Sequence, residues 1–326
     1  MKESKKNGNG KNGGVKSGAG MNAKAMIAPY RIETGKGFRL KDYATANAIG
    51  NAIDKDKGED LLKECSKKLN SLQERLHAEG RWSLLLILQG MDAAGKDGAI
   101  KNVMSGVDPQ GVDVTSFKAP AGVEIEHDFL WRCSLAMPRR GRIGIFNRSY
   151  YEEVVAVRVY QHFLDGQRLP ARIVSKKIWD ERLGDISNYE DYLARNGIVV
   201  RKIFLNISPE EQKKRLLARI EDPDKMWKFS PDDLRDRQRW PDFMAAYEAA
   251  IAATASRQAP WFVVPADDKP FARLLVAGIA IDALEEMNLA FPTVDAEKAR
   301  EARKAAELLA AEKFPGNNSS NKNAKP

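Results

Sequence analysis

The residues best suited to chemistry carry charge: two carboxylates, Asp92 and Asp97, two lysines, Lys96 and Lys118, and two arginines, Arg148 and Arg219. Asp92, Lys96 and Asp97 fall within Gly90-Met91-Asp92-Ala93-Ala94-Gly95-Lys96-Asp97-Gly98, directly after the apolar run of residues 83–88. That run is too short for a helix buried on all faces, and it stops at a glycine ahead of an amphipathic segment, so the stretch reads as strand, loop, helix. The spacing from Gly90 to Gly95-Lys96 is that of a phosphate-cradling P-loop. Backbone N–H groups of Gly90, Ala93, Ala94, Gly95, Asp97 and Gly98 would turn inward at a helix N-terminus, and Lys96 would reach the phosphates. Where such a loop usually places a Ser or Thr hydroxyl on Mg2+, this chain has Asp97, and it adds Asp92 inside the loop. A Mg2+ site built with Asp92 repairs that loss.

Other elements must hold these groups in place. Residues 112–117 read as a second strand with Lys118 at its carboxyl end, where open α/β sheets bind ligands. Residues 143–146 read as a third strand leading into Asn147-Arg148-Ser149-Tyr150-Tyr151-Glu152-Glu153, residues 198–206 as a fourth and 261–264 as a fifth. Helical patterns cover residues 57–79, 96 to about 111, 124–137, 152–162, 171–195 and 269–287. Ser208 and Pro209 cap and start another helix, which runs through Arg219 and breaks at Asp222-Pro223-Asp224. It restarts at Pro231 and reaches about residue 255. This basic helix, break, helix arrangement, residues 208–240, looks like a lid that closes over phosphates and excludes water. Strands alternating with helices, the P-loop after the first strand, predict an α/β fold of the P-loop kinase type, with a parallel sheet, helices on both faces and a helical lid.

The chain has 326 residues, enough for a large core, and a formal net charge of +8, which favours polyanionic partners. Cys65 and Cys133 stand in no metal-ligand spacing and read as core thiols of a reduced, cytoplasmic protein. No apolar run approaches the roughly 20 residues that span a bilayer. Residues 1–24 form a basic tail too polar to offset the entropy of ordering. The domain is expected over residues 25–290, followed by a peripheral helix and a second disordered tail over 291–326.

Several segments together resemble the polyphosphate kinase 2 family. They are the P-loop stretch, Phe117-Lys118-Ala119-Pro120, His127-Asp128-Phe129-Leu130-Trp131-Arg132, Phe146-Asn147-Arg148-Ser149, Asp222-Pro223 with Lys225, Trp227-Lys228-Phe229-Ser230, and Ala259-Pro260-Trp261 with Pro265-Ala266-Asp267. The resemblance spans about residues 40 to 290. It implies Mg2+-dependent phosphoryl transfer between inorganic polyphosphate and a nucleotide on a thymidylate-kinase-like fold, in a homo-oligomer, dimer or tetramer. Carried over by position, Asp92 is similar to the catalytic, metal-binding loop carboxylate, Lys96 and Arg148 to phosphate binders, Lys118 to a polyphosphate contact, and Arg219 to the lid arginine, with Arg215 one turn away. Many members have Asp at the position of Asn147 and Asn at that of Glu152. The pattern here is similar to class III, which phosphorylates AMP and ADP, and places Asn147, Arg148 and Glu152 on the nucleotide side; GDP and GTP remain possible nucleotides.

An acceptor phosphate, with a second pKa of about 6, is largely ionised at neutral pH and needs no general base. His77, His127 and His162 accordingly read as structural. Arg139 and Arg140, with Arg142, Lys176, Lys177, Lys225 and Lys228, are candidates to line a phosphate-chain channel, and Trp227 is the best candidate for base stacking. The competing readings are an ATP-dependent nucleoside-monophosphate kinase and a non-catalytic polyanion binder.

Overall fold

The computed structural model describes residues 22–46 and 55–312. Its centre is a six-stranded sheet: β1 Arg31–Ile32, β2 Ser83–Gln89, β3 Val112–Ser116, β4 Ile143–Asn147, β5 Ile198–Asn206 and β6 Trp261–Pro265, in the order β1-β6-β5-β2-β4-β3. β2 through β6 are parallel and β1 runs antiparallel along β6. A central parallel strand is covered on both faces, and β2 is accordingly buried at every position. The register pairs Leu88 with Asn147, Gln89 with Phe204 and Ser116 with Asn147, so the carboxyl ends of four strands finish side by side. The charged residues that follow them are thereby gathered at one edge of the sheet.

Helix Lys269–Glu286 packs against helix Lys55–Glu79, whose stripe of Cys65, Leu69, Leu72 and Leu76 is buried. Leu274, Leu275, Ile279, Ile281 and Leu284 of the former are buried as the pattern predicts. Helices Ile178–Arg195 and Trp240–Thr254 pack together elsewhere in the core. Beside them lies a buried polar cluster. Lys202 of β5 ion-pairs with Glu190 and donates to the Thr254 carbonyl at 2.7 Å, while Tyr150 and Tyr151 donate to Glu190 at 3.0 and 2.8 Å. The lysine and the glutamate are essentially without solvent contact.

Several expectations change; the helix expected from 96 to about 111 ends at Val103, and the one over 171–195 is a helix only over Ile178–Arg195. β1 has only two residues and shows no period, so its pairing with β6 is a tertiary fact. The helix expected over 124–137 is a 3-10 turn, Gly122–Glu126, and a short helix, Trp131–Leu135; the one over 152–162 is likewise a turn, Tyr150–Glu153, followed by Ala156–Val159. The long segment after Pro231 is two helices, Pro231–Gln238 and Trp240–Thr254, meeting at Arg239, with Pro241 in the first turn of the second. Order also begins before residue 25. Asn22 caps helix Ala23–Ile27, and Ala23 and Ile27 are buried, with Gly278 opposite: a Cβ there would lie 2.5 Å from Met26 Cε. The rest of the expected N-terminal tail, and residues 313–326, lie outside the described residues. Among the described residues, those up to 289 form one compact unit, and those from 290 a second, in which helix Ala296–Ala311 buries no residue. No helix among the described residues is long and apolar enough to cross a membrane.

Candidate active site

Gly90 leaves β2 at a φ of +147°, and a Cβ there would stand 2.9 Å from the Leu205 carbonyl, so the chain can turn at this point only without a side chain. Ala93 and Gly95 also have positive φ, 61° and 111°, and Gly95 caps helix Lys96–Val103. Successive residues of this kind turn N–H groups into a concave anion cradle. Lys96 folds back across the loop and donates to the carbonyls of Gly90 at 2.6 Å and Met91 at 3.2 Å, which leaves one ammonium N–H for a ligand. Burial, and then Arg148, push its pKa down, against the pull of Asp92, Glu152 and Asp97.

Arg148 follows β4 in the left-handed region, φ 64°, with its N–H on the Leu88 carbonyl at 3.0 Å. A non-glycine residue held there stores strain of the kind found at functional sites. Its guanidinium lies 2.5 Å from Asp92 Oδ1 and 3.6 Å from Glu152 Oε2, joining the P-loop carboxylate to the segment after β4. Asn147 donates to Asp97 Oδ1 at 2.6 Å, so the two residues that stand in unusual positions for a P-loop enzyme answer each other.

The lid contributes from above. Arg219 Nη1 donates to Asp233 Oδ2 at 3.0 Å and so ties helix Pro209–Glu221 to helix Pro231–Gln238, whose capping box is made by Ser230 and the same Asp233. Asp233 and Asp92 influence each other electrostatically. Burial pushes the Asp92 carboxyl up, but Lys96, Arg148 and Arg219 together outweigh it and hold the group below the usual carboxylate range; burial and the Asp92 charge push Asp233 the other way. Of the two carboxyls, Asp92 is therefore the more acidic. Arg215, the neighbour of Arg219, is spent differently. It is buried and donates to the carbonyls of Ala93, Ala94, Ala266 and Asp267 at 2.6 to 3.2 Å, a strut beneath the P-loop. Gln212 adds a bond to the Asp92 carbonyl at 3.0 Å.

All this faces a cavity of about 1900 Å³. Asp92, Ala93, Ala94, Gly95, Lys96, Asp97, Gly98, Lys118, Asn147, Arg148, Glu152 and Arg219 line it, as do the lid's Lys225, Trp227 and Lys228. Gly90 lies at its margin, through its carbonyl on Lys96. Arg139 and Arg140 do not join the site. Arg140 donates to the Arg81 carbonyl at 2.6 Å and its guanidinium comes within contact distance of Gly197, just before β5, while Gly141 bonds Trp82, just before β2. These are the amino ends of the strands, the edge opposite the P-loop, and no phosphate chain held by Lys96 begins there. Sequence reasoning missed Lys214, Lys269 and Arg273, which line the cavity beside the P-loop helix. The last two begin the helix after the carboxyl end of β6, the location that α/β topology marks for ligand contacts, and a four-residue step places them on one face.

A parallel sheet with a P-loop at the end of a central strand, a lysine folded into that loop and an arginine-bearing helical lid define a P-loop kinase-type protein. Residues 52–292 match the family described as Polyphosphate kinase 2, and the chain belongs to that family. It is 46% identical over 243 residues to an ADP-polyphosphate phosphotransferase of Rhodopseudomonas palustris, covering 74% of this chain and 84% of the relative. It is 39% identical over 263 residues to an AMP/ADP-polyphosphate phosphotransferase of Meiothermus ruber, covering 81% and 94%. The crystal structure of polyphosphate kinase 2 from Arthrobacter aurescens TC1 superposes with a TM-score of 0.79 at 40% identity, covering 88% of this chain and 98% of that one.

Proposed function

We propose that this enzyme transfers phosphoryl groups between inorganic polyphosphate and adenine nucleotides, with AMP and ADP as acceptors. The observation that carries the reading is the cavity. Its volume of about 1900 Å³ exceeds the roughly 300–1,000 Å³ of an ordinary small-molecule pocket. Its wall also holds cations, Lys118, Lys269 and Arg273, that make no ion pair among the described residues. Space on this scale, with these three cations in the wall, suits two polyanions brought end to end. The names of the Rhodopseudomonas and Meiothermus relatives support polyphosphate as one of them.

In this reading the P-loop N–H groups and Lys96 hold the phosphates at the point of transfer, Arg148 and Arg219 balance charge as it moves to the leaving oxygen, and Lys118 contacts the polyphosphate. Asn147, Arg148 and Glu152 face the nucleotide. Among the described residues no three His, Cys, Asp or Glu side chains are grouped to hold a metal ion. That suits Mg2+, which is held by one or two carboxylates together with substrate phosphates and waters. Asp92, ionised and facing the cavity, fits that part; when bound, the ion would neutralise phosphate charge. The decisive experiment incubates the protein with Mg2+, long-chain polyphosphate and AMP, without ATP, and separates the nucleotides by chromatography. Formation of ADP and then ATP, absent in Asp92→Ala, is the expected result. No product from AMP or from added ADP would overturn the reading.

A further inference from the structure

The segment His127-Asp128-Phe129-Leu130-Trp131-Arg132 has no part in the chemistry proposed above, yet its arginine is buried in the wall of the site. Arg132 Nη1 donates to the Lys118 carbonyl at 2.6 Å and to Glu124 Oε2 at 3.4 Å, and Nη2 lies 3.8 Å from Glu153 Oε1. Its guanidinium sits 5.5 Å from the centre of the Phe117 ring, which packs edge-on against Phe146 at 4.8 Å. Residues 117 and 118 are therefore held through ring and carbonyl by one side chain. Glu153, also buried, is the hub behind it: it accepts from Gln167 Nε2 at 2.6 Å and from Arg182 Nη1 at 3.3 Å, and Arg182 lies over Phe129 at 5.1 Å. The network joins the loop after β3 to the segment that carries Arg148 and Glu152.

Lys118 is exposed, its side chain has no ion pair among the described residues, and its stem is flexible. What determines where its ammonium can reach is its backbone. We infer that Arg132 is a positioning residue for the polyphosphate side of the reaction, holding the Lys118 backbone so that the lysine faces the phosphate chain. This rests on the reading of Lys118 as a phosphate contact. A lysine at 132 keeps the charge but loses the fork that reaches the carbonyl, Glu124 and Glu153 together.

The test is a double-mutant cycle with Arg132→Lys and Lys118→Ala, using steady-state kinetics with long-chain polyphosphate and ADP. Misplacing a contact group by about an ångström costs up to about 100-fold, so Arg132→Lys is expected to raise the KM for polyphosphate about 10-fold while the KM for ADP changes less than about 2-fold. In the Lys118→Ala background the same change is expected to add nothing, as for residues acting through one another. An equal loss in both backgrounds, or an equal rise in both KM values, would overturn the inference. An unchanged polyphosphate KM in Lys118→Ala alone would remove the reading of Lys118 and the inference with it. Should Arg132→Lys not melt cooperatively, Glu153→Gln, which loosens Arg132 from its other side, goes through the same cycle with the same outcomes.

Discussion

Arg215 and Arg219 stand one helical turn apart and look alike in sequence, yet they do different work. Arg215 has its donors on four backbone carbonyls under the P-loop, whereas Arg219 reaches across the lid to Asp233, close to Asp92. Arg219→Ala is expected to lower kcat by about 100-fold or more, as for loss of a charge-stabilising group, with a smaller fall in melting temperature than Arg215→Ala because it removes one ion pair between lid helices. Arg215→Ala strands several buried carbonyls at about 1–3 kcal/mol each at most, and should show first as a lower melting temperature in calorimetry. If Arg215→Ala kept full stability and lost only kcat, the two roles would have to be exchanged. The cysteines make a second prediction at this scale. Burial pushes the Cys133 thiol up to about 12 and the Cys65 thiol up to about 11, so neither is a thiolate at pH 8. Iodoacetamide should label both in urea and neither in the native protein, as judged by intact mass.

Between elements, the Lys202–Glu190 pair fastens β5 to helix Ile178–Arg195 with both partners buried. Removing one partner of a buried pair costs about 3–5 kcal/mol, and Glu190→Gln, which leaves Lys202 charged and enclosed, should lose that much in urea denaturation at neutral pH. Burial pushes the Lys202 pKa down, with Glu190 opposing it. Without Glu190 the folded lysine sheds its proton more readily than the unfolded one, whose pKa is about 10.4. The cost is therefore fully present below the folded value and shrinks as pH rises through it. The deficit of Glu190→Gln should narrow on going from pH 7 towards pH 10, and a constant deficit would mean that Lys202 keeps its proton in the folded variant across that range.

For the whole molecule, the charge that matters is local. A net +8 says only that polyanions are welcome; the fold decides that Lys214, Lys269 and Arg273 stand beside the P-loop helix while Arg139 and Arg140 face the other edge of the sheet. Reversing Lys269 and Arg273 to Glu should raise the KM for long polyphosphate, more steeply at low salt, whereas the same change at Arg139 and Arg140 should leave it unchanged. A chain ending at residue 289 should keep its activity and melting temperature, because helix Ala296–Ala311 buries no side chain. A loss of either would assign that helix a role.

The sequence by itself determined the parallel sheet, the P-loop and the charged residues that end its strands. These follow from local rules, in which an apolar run needs cover on both faces and a glycine is required where φ is positive, as at Gly90 and Gly95. Asp92, Lys96, Lys118, Arg148 and Arg219 were legible because each adjoins a strand end or a lid helix with its own signal. Only the tertiary structure separated Arg215 from Arg219, moved Arg139 and Arg140 out of the site, and brought Asp233, Lys269, Arg273 and Arg132 into it. A basic side chain has the same pattern in sequence whether it spans a loop, a lid or open water. What sets its role is which carbonyls and carboxylates lie within about 3 Å of it, and those come from residues distant along the chain.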